Sequence, residues 1–204
     1  MAATPSTKLD PTTRQVVLDT AAAAIDSGLG RSLASPPDAR RLALPLAEHR
    51  ASFVTLTLDG ALRGCCGTLE AARPLLLDVW HNAQASAFHD PRFPPLTLAE
   101  WRSVELEVSV LTPCERVVVA DERELLLQLE PGRDGLVFSW RGVRATFLPK
   151  VWEQVSGAEE FLSRLKQKAG WPAGFWASDL EIWRYETESV GPMRAAEPGP
   201  PSTR

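Results

Sequence analysis

The stretch FVTLTLDGALRGCCGTL, Phe53 to Leu69, carries the first decision about the fold. Val54, Leu56 and Leu58 alternate with Thr55 and Thr57, the period-two pattern of a half-buried strand. Asp59-Gly60 then supplies a two-residue turn whose members both tolerate positive φ. The pattern predicts a β-hairpin whose return arm carries Arg63, Gly64, Cys65, Cys66 and Gly67. Glycine weakens a strand and marks a bulge or a close backbone approach. The arm is therefore either an active loop or packing that happens to contain sulfur.

Working outward, GLVFSWRGVRATFL predicts a second hairpin that turns near Arg141-Gly142. VELEVSVL predicts a strand with Val104, Leu106, Val108 and Val110 facing in and Glu105, Glu107 and Ser109 facing out. LEIWRYETE reads as one final strand. Asp10-Pro11 starts a helix with Val17, Ala21, Ala24 and Ile25 on one face, and Gly28 and Gly30 end it. PDARRLALPL predicts a second, shorter helix cut by Pro45, and Pro74 opens another that runs to Phe88. Thr97 with Glu100 forms a capping box, Asp121 caps ERELLLQLE, and Ser156 with Glu159 caps a helix carrying Phe161, Leu162 and Leu165. Helices and strands interspersed with two hairpins predict an α+β fold with a mixed or antiparallel sheet and flanking helices, not a doubly wound array.

The chain has 204 residues and a net charge of −4, with no polybasic run. One domain over residues 10–190 suits that length. Bulk nucleic-acid binding is not expected, because it needs a clustered positive field. Cys65, Cys66 and Cys114 are odd in number and contain no CxxC, which argues against a disulfide framework or a structural zinc. No cofactor or metal is expected. The N-terminus lacks an apolar signal core, and no run reaches the ~18 apolar residues of a membrane span. A reducing, cytoplasmic setting without a membrane partner is the expectation. The first nine residues are expected to fray, and the Pro/Gly-rich residues 191–204 to form a disordered tail.

Three segments carry candidate chemistry. Cys65 is a possible nucleophile if its thiol is exposed and its pKa lowered. Arg63, two residues away, is expected on the same strand face, where it would favour the thiolate. The flanking glycines are expected to leave backbone N–H groups open to a small anion. The alternative puts Cys65 and Cys66 on opposite faces, with one buried as a small hydrophobe. In FHDPRFPPL, Asp90-Pro91 starts a turn that stiffens Arg92, an arginine suited to carboxylate or phosphate capture or to satisfying loop carbonyls. Phe93 either stacks on a ring or plugs the core. Glu105 and Glu107 share a strand face and read as a carboxylate pair or as a solvated face.

Taken together, LRGCCGTLE, AFHDPRFPPLT, VELEVSVLTP, PGRDGLVF, TFLPKVWEQV and FLSRLKQKAG resemble the AMMECR domain family over about residues 10–190. In prokaryotes this is protein A of the AmmeMemoRadiSam system. The family motif has an aliphatic residue where this chain has Cys66, so Cys65 is the motif cysteine. The resemblance implies a two-lobed α+β fold with a cleft. It also implies partnership with a Memo-like protein and a radical-SAM enzyme. It carries over Arg63, Gly64, Cys65, Gly67 and Thr68 from the first motif, Asp90, Arg92 and Phe93 from the second, and Glu107 and Ser109 from the third. Two functions stay open. One is an enzyme or enzyme component in a modification reaction on a nucleotide or RNA, with Cys65, Arg63 and Glu107 at work. The other is a non-catalytic scaffold that seats a peptide or metabolite.

Overall fold

The structure is a computed structural model and describes residues 8–194. Asp10 caps helix α1 (Pro11–Gly28) by accepting from the N–H groups of Thr12 and Thr13. Val17, Ala21, Ala24 and Ile25 are fully buried along one face, as their spacing requires. Leu9 does not fray: it is buried, and its N–H donates to Glu188 at 2.7 Å. The predicted second helix shrinks to a single 3-10 turn, Ala39–Arg41. Pro36, Pro37 and Pro45 leave too few free N–H groups between them for α-helical bonding.

Strands β1 (Ser52–Leu58) and β2 (Ala61–Gly67) form the first hairpin. Asp59 and Gly60 adopt φ of 50° and 79°, the doubly left-handed turn that Asp-Gly favours. Helix α2 (Leu75–Phe88), the short α3 (Leu98–Trp101) with its Thr97/Glu100 capping box, and β3 (Glu105–Leu111) follow. Then come β4 (Glu115–Val117), α4 (Glu122–Gln128), β5 (Gly135–Trp140) and β6 (Val143–Phe147). A 3-10 turn, Pro149–Gln154, leads to α5 (Ala158–Lys168), β7 (Glu181–Tyr185) and β8 (Thr187–Arg194). Gly157 occupies the cap of α5, so the third helical residue is Glu160, and Ser156 bonds to that carboxylate instead of Glu159.

The strands make two four-stranded sheets, ordered β2-β1-β3-β8 and β4-β7-β5-β6. The fold is α+β, and the pairs β1–β2, β1–β3, β4–β7, β5–β6 and β5–β7 are all antiparallel. The described residues divide into two compact units, one of residues 8–111 with 188–194 and the other Thr112–Thr187. In the first unit, Val54, Leu56, Leu106 and Val108 pack with Val17, Ile25, Val79 and Ala83 in a single core. Each fully buried Val, Leu or Ile side chain among them contributes about 1.5–3 kcal/mol. In the second unit, Leu136, Phe138 and Ile182 pack with Leu125, Phe161 and Leu165, and Trp152 stacks on Phe161 at 4.1 Å.

The last predicted strand divides at Glu186: β7 joins the second sheet and β8 the first. Residues 191–194, expected in a tail, complete β8. Val190 is buried, and Arg194 pairs with Glu105 at 2.9 Å. Residues 195–204 lie outside the described residues. Among the described residues no helix is long and apolar enough to cross a membrane.

Candidate functional site

The return arm of the first hairpin is irregular where its glycines lie. Leu56 pairs with Gly64 and Thr57 with Leu62, so Arg63 is the extra residue of a bulge. A bulge breaks the alternation of faces and re-aims a side chain. Arg63 therefore does not serve the thiol as two-residue spacing suggests. Its Nε donates to Glu100 at 2.8 Å, and its Nη2 donates to the Pro94 carbonyl at 3.0 Å. The side chain is nearly buried, and its guanidinium holds the Glu100 carboxyl down at about 2. Its role is to tie the proline segment and α3 to the arm.

Gly64 and Gly67 are present because something stands close. A Cβ on Gly64 would sit 2.2 Å from the Ser86 carbonyl oxygen, and one on Gly67 would sit 2.3 Å from the Phe53 ring. The arm also offers no open nest of amides. The N–H of Cys65 donates to Asp90 at 2.9 Å, that of Cys66 to Ser86 Oγ at 2.8 Å, and that of Thr68 to the Ser52 carbonyl at 3.0 Å. The Thr68 hydroxyl donates to Asp78. Gly64 and Gly67, carried over as ligand-binding residues, thus meet close neighbours within the chain, and Thr68 is hydrogen-bonded within it.

Sequence reading missed the face of α2 that makes these bonds. Asp78, Asn82, Ser86 and, one turn beyond, Asp90 recur every four residues and are all buried. Asp78 accepts from the Ser52 N–H and hydroxyl at 2.8 and 2.7 Å, from Arg73 and from Asn82. The signal was visible as a period-four polar stripe inside an otherwise apolar helix. β2 is an edge strand, and such edges need covering. Here the covering groups are side chains of the helix and of the turn that follows it.

The two expected motifs do meet. Asp90 Oδ2 accepts from the Cys65 N–H, and Arg92 Nη2 donates to the Cys65 carbonyl at 3.2 Å. Arg92 also clamps Asp90 through two bonds, Nε to Oδ1 at 2.9 Å and Nη2 to Oδ2 at 2.6 Å. The guanidinium holds the Asp90 carboxyl well below the usual carboxylate range, and Asp90 in turn raises Arg92. The Arg92 side chain remains 53% exposed while Asp90 is buried. Phe93 is half-buried, with the Arg63 and Arg92 guanidinium carbons 5.8 and 5.5 Å from its ring centroid.

Cys65 and Cys66 are both half-buried, so neither is sealed in the core. Burial, followed by the negative charge of Asp90, pushes the Cys66 thiol up. Cys65 faces away from the α1/α2 core. Across the sheet it pairs with Thr55, and Thr55 pairs with Glu107, which makes a row Cys65–Thr55–Glu107 on one face. The Thr55 hydroxyl donates to the Cys65 sulfur at 3.5 Å. Two strand spacings separate Cys65 from Glu107 at the backbone, roughly 10 Å. The neighbouring row is Gly67–Phe53–Ser109, with Ser109 buried although it lies on the outward parity. Among the described residues no three His, Cys, Asp or Glu side chains gather to hold a metal ion.

The AMMECR1 family model matches residues 18–190. This chain belongs to the AMMECR1 family. A protein of Methanocaldococcus jannaschii is 40% identical over 149 residues, 69% of this AMMECR1 chain and 72% of that protein. A bacterial relative from Thermotoga maritima is 40% identical over 148 residues, 70% of this chain and 79% of its own length. The crystal structure of an uncharacterized protein from Pyrococcus horikoshii matches the AMMECR1 fold described above with a TM-score of 0.77. It has 32% identity and covers 85% of this chain and 88% of that one.

Proposed function

We propose that this AMMECR1-family chain is an enzyme component working with Memo-like and radical-SAM partners in a modification reaction, with the Cys65 sulfur as the atom that meets the substrate. One observation carries the reading. The backbone of Cys65 is pinned at both its N–H and its C=O by the Asp90–Arg92 pair, while the residue stays partly exposed with its sulfur beside the Thr55 hydroxyl. Pinning a strand residue through an ion pair orients a side chain more tightly than packing needs. In the step, the Cys65 sulfur forms a bond to an electrophilic carbon of a nucleotide or similar substrate. The π-electron pair of that carbon moves to its attached heteroatom. The Thr55 hydroxyl, which donates to the sulfur, supports the thiolate; the thiol proton goes to solvent, and a proton is returned to that heteroatom with Glu107 as the carboxylate that moves it. The outward half of the Arg92 guanidinium holds an anionic group of the substrate.

The test is iodoacetamide titration of the native protein with peptide mapping. Cys65 is expected to alkylate at neutral pH faster than Cys66 and faster than a free thiol. A Cys65 rate no higher than that of an unperturbed thiol overturns the reading.

A second reading, a non-catalytic scaffold seating a peptide or metabolite, is favoured by a different observation. Arg63, Thr68 and Asp90 are already bonded within the chain. Under that reading Cys65→Ser leaves co-purification with the Memo-like and radical-SAM proteins intact and leaves their joint product unchanged.

A further inference from the structure

Ser86 belongs to no motif and has no assigned role. It is 1% exposed, on the face of α2 that meets the first hairpin. Its hydroxyl accepts from the Cys66 N–H at 2.8 Å and donates to the Val54 carbonyl at 2.7 Å. Val54 and Cys66 are partners across the β1–β2 ladder, so the hydroxyl bridges the two strands. The carbonyl of the same residue stands where only Gly64 lets the helix come so close. One turn later, Asp90 takes the N–H of Cys65. Two consecutive amides of the dithiol are thus each held by a side chain, one from α2 and one from the turn that follows it. In a regular antiparallel ladder, successive residues turn their amides alternately toward and away from the partner strand, and the partner's carbonyl takes the inward one.

We infer that Ser86 is a positioning residue for the dithiol segment: its hydroxyl, set between Val54 and Cys66, fixes the path of the arm that presents the Cys65 sulfur to Thr55 and Glu107. This inference rests on the reading of Cys65 as the working atom. The chemistry selects serine. A hydroxyl donates and accepts at once on a short stem. Alanine leaves a buried N–H and a buried C=O with no bridge between them. Threonine keeps the hydroxyl.

The experiment uses the full chain and two readouts, the exchange rates of individual amides by NMR and the alkylation of Cys65 and Cys66 across pH by peptide mapping. Ser86→Ala is expected to speed exchange at Cys66 about ten-fold while Val108, in β3, keeps its protection. The ratio of Cys65 to Cys66 alkylation is expected to shift about three-fold or more. Ser86→Thr is expected to restore both. An unchanged ratio in Ser86→Ala overturns the inference. So does a uniform loss of protection that Ser86→Thr fails to repair, because that pattern marks general packing. A slow wild-type Cys65 sinks the proposed reaction, whereas the placement of Ser86 is judged on the exchange and the ratio alone.

Discussion

The two hairpins of this protein share a turn and differ in everything beyond it. Asp59-Gly60 and Arg141-Gly142 both place two consecutive residues at positive φ, 50° and 79° in the first, 46° and 80° in the second. Past the turn, β5 and β6 keep one register from Trp140–Val143 to Leu136–Phe147. β1 and β2 slip at Leu56, extrude Arg63 and accept a helix hydroxyl between the strands. Turn geometry is a local property of two residues and repeats wherever they occur. The course of an arm depends on what packs against it, and the first arm is pressed against a helix backbone at Gly64. The irregular arm also carries the candidate site.

The sharpest way to break this contrast is Gly64→Ala. The added methyl meets the Ser86 carbonyl, which is backbone and cannot swing away. A loss of about 3 kcal/mol or more in urea unfolding is expected. If Gly64→Ala costs no more than a turn glycine does, the close approach is not what distinguishes the arm.

Arg63→Met comes next, with a loss of about 2–3 kcal/mol at neutral pH, because it strands Glu100 and two proline carbonyls. Glu100 is depressed from 4.5 to about 2 by that guanidinium, so the pair's stabilisation is fully present above pH 4.5 and disappears as pH falls through about 2. The gap between wild type and Arg63→Met should narrow across that window, read as the difference in urea midpoint against pH.

Gly142→Ala, at φ 80° with nothing near its Cβ, should cost about 1 kcal/mol, from backbone conformation alone. Cys66→Val should change stability least, by less than about 1 kcal/mol, because an aliphatic group of similar size suits a half-buried position. It should also leave Cys65 alkylation in place, as peptide mapping would show.

Much of the fold was legible because it rests on near neighbours. Asp10 and Thr97 cap where their spacing says, β3 alternates as its valines require, and both hairpins turn at the expected dipeptides. Errors arose where spacing was ambiguous or partners were distant. Three prolines reduced a predicted helix to one turn around Ala39. LEIWRYETE read as one strand, yet nothing local marks Glu186 as the residue where the chain leaves one sheet for another. At the site, Cys65, Asp90 and Arg92 were found as motif residues and do converge. Arg63 was assigned to the thiol by counting two along a strand, and a single bulge voided the count. Ser86 and Asp78 went unseen because their partners, Val54, Cys66 and Ser52, lie 20 or more residues away.

By itself the sequence determined the α+β class, both hairpin turns and the caps at Asp10 and Thr97, since capping, φ preference and side-chain period act within a few residues. Only the tertiary structure decided what each polar group bonds to. It sent Arg63 to Glu100, Asp90 to the Cys65 amide and Ser86 into the β1–β2 ladder. The physical reason is that a buried donor or acceptor must be satisfied by whatever the packing brings within about 3 Å, and that choice belongs to the whole fold.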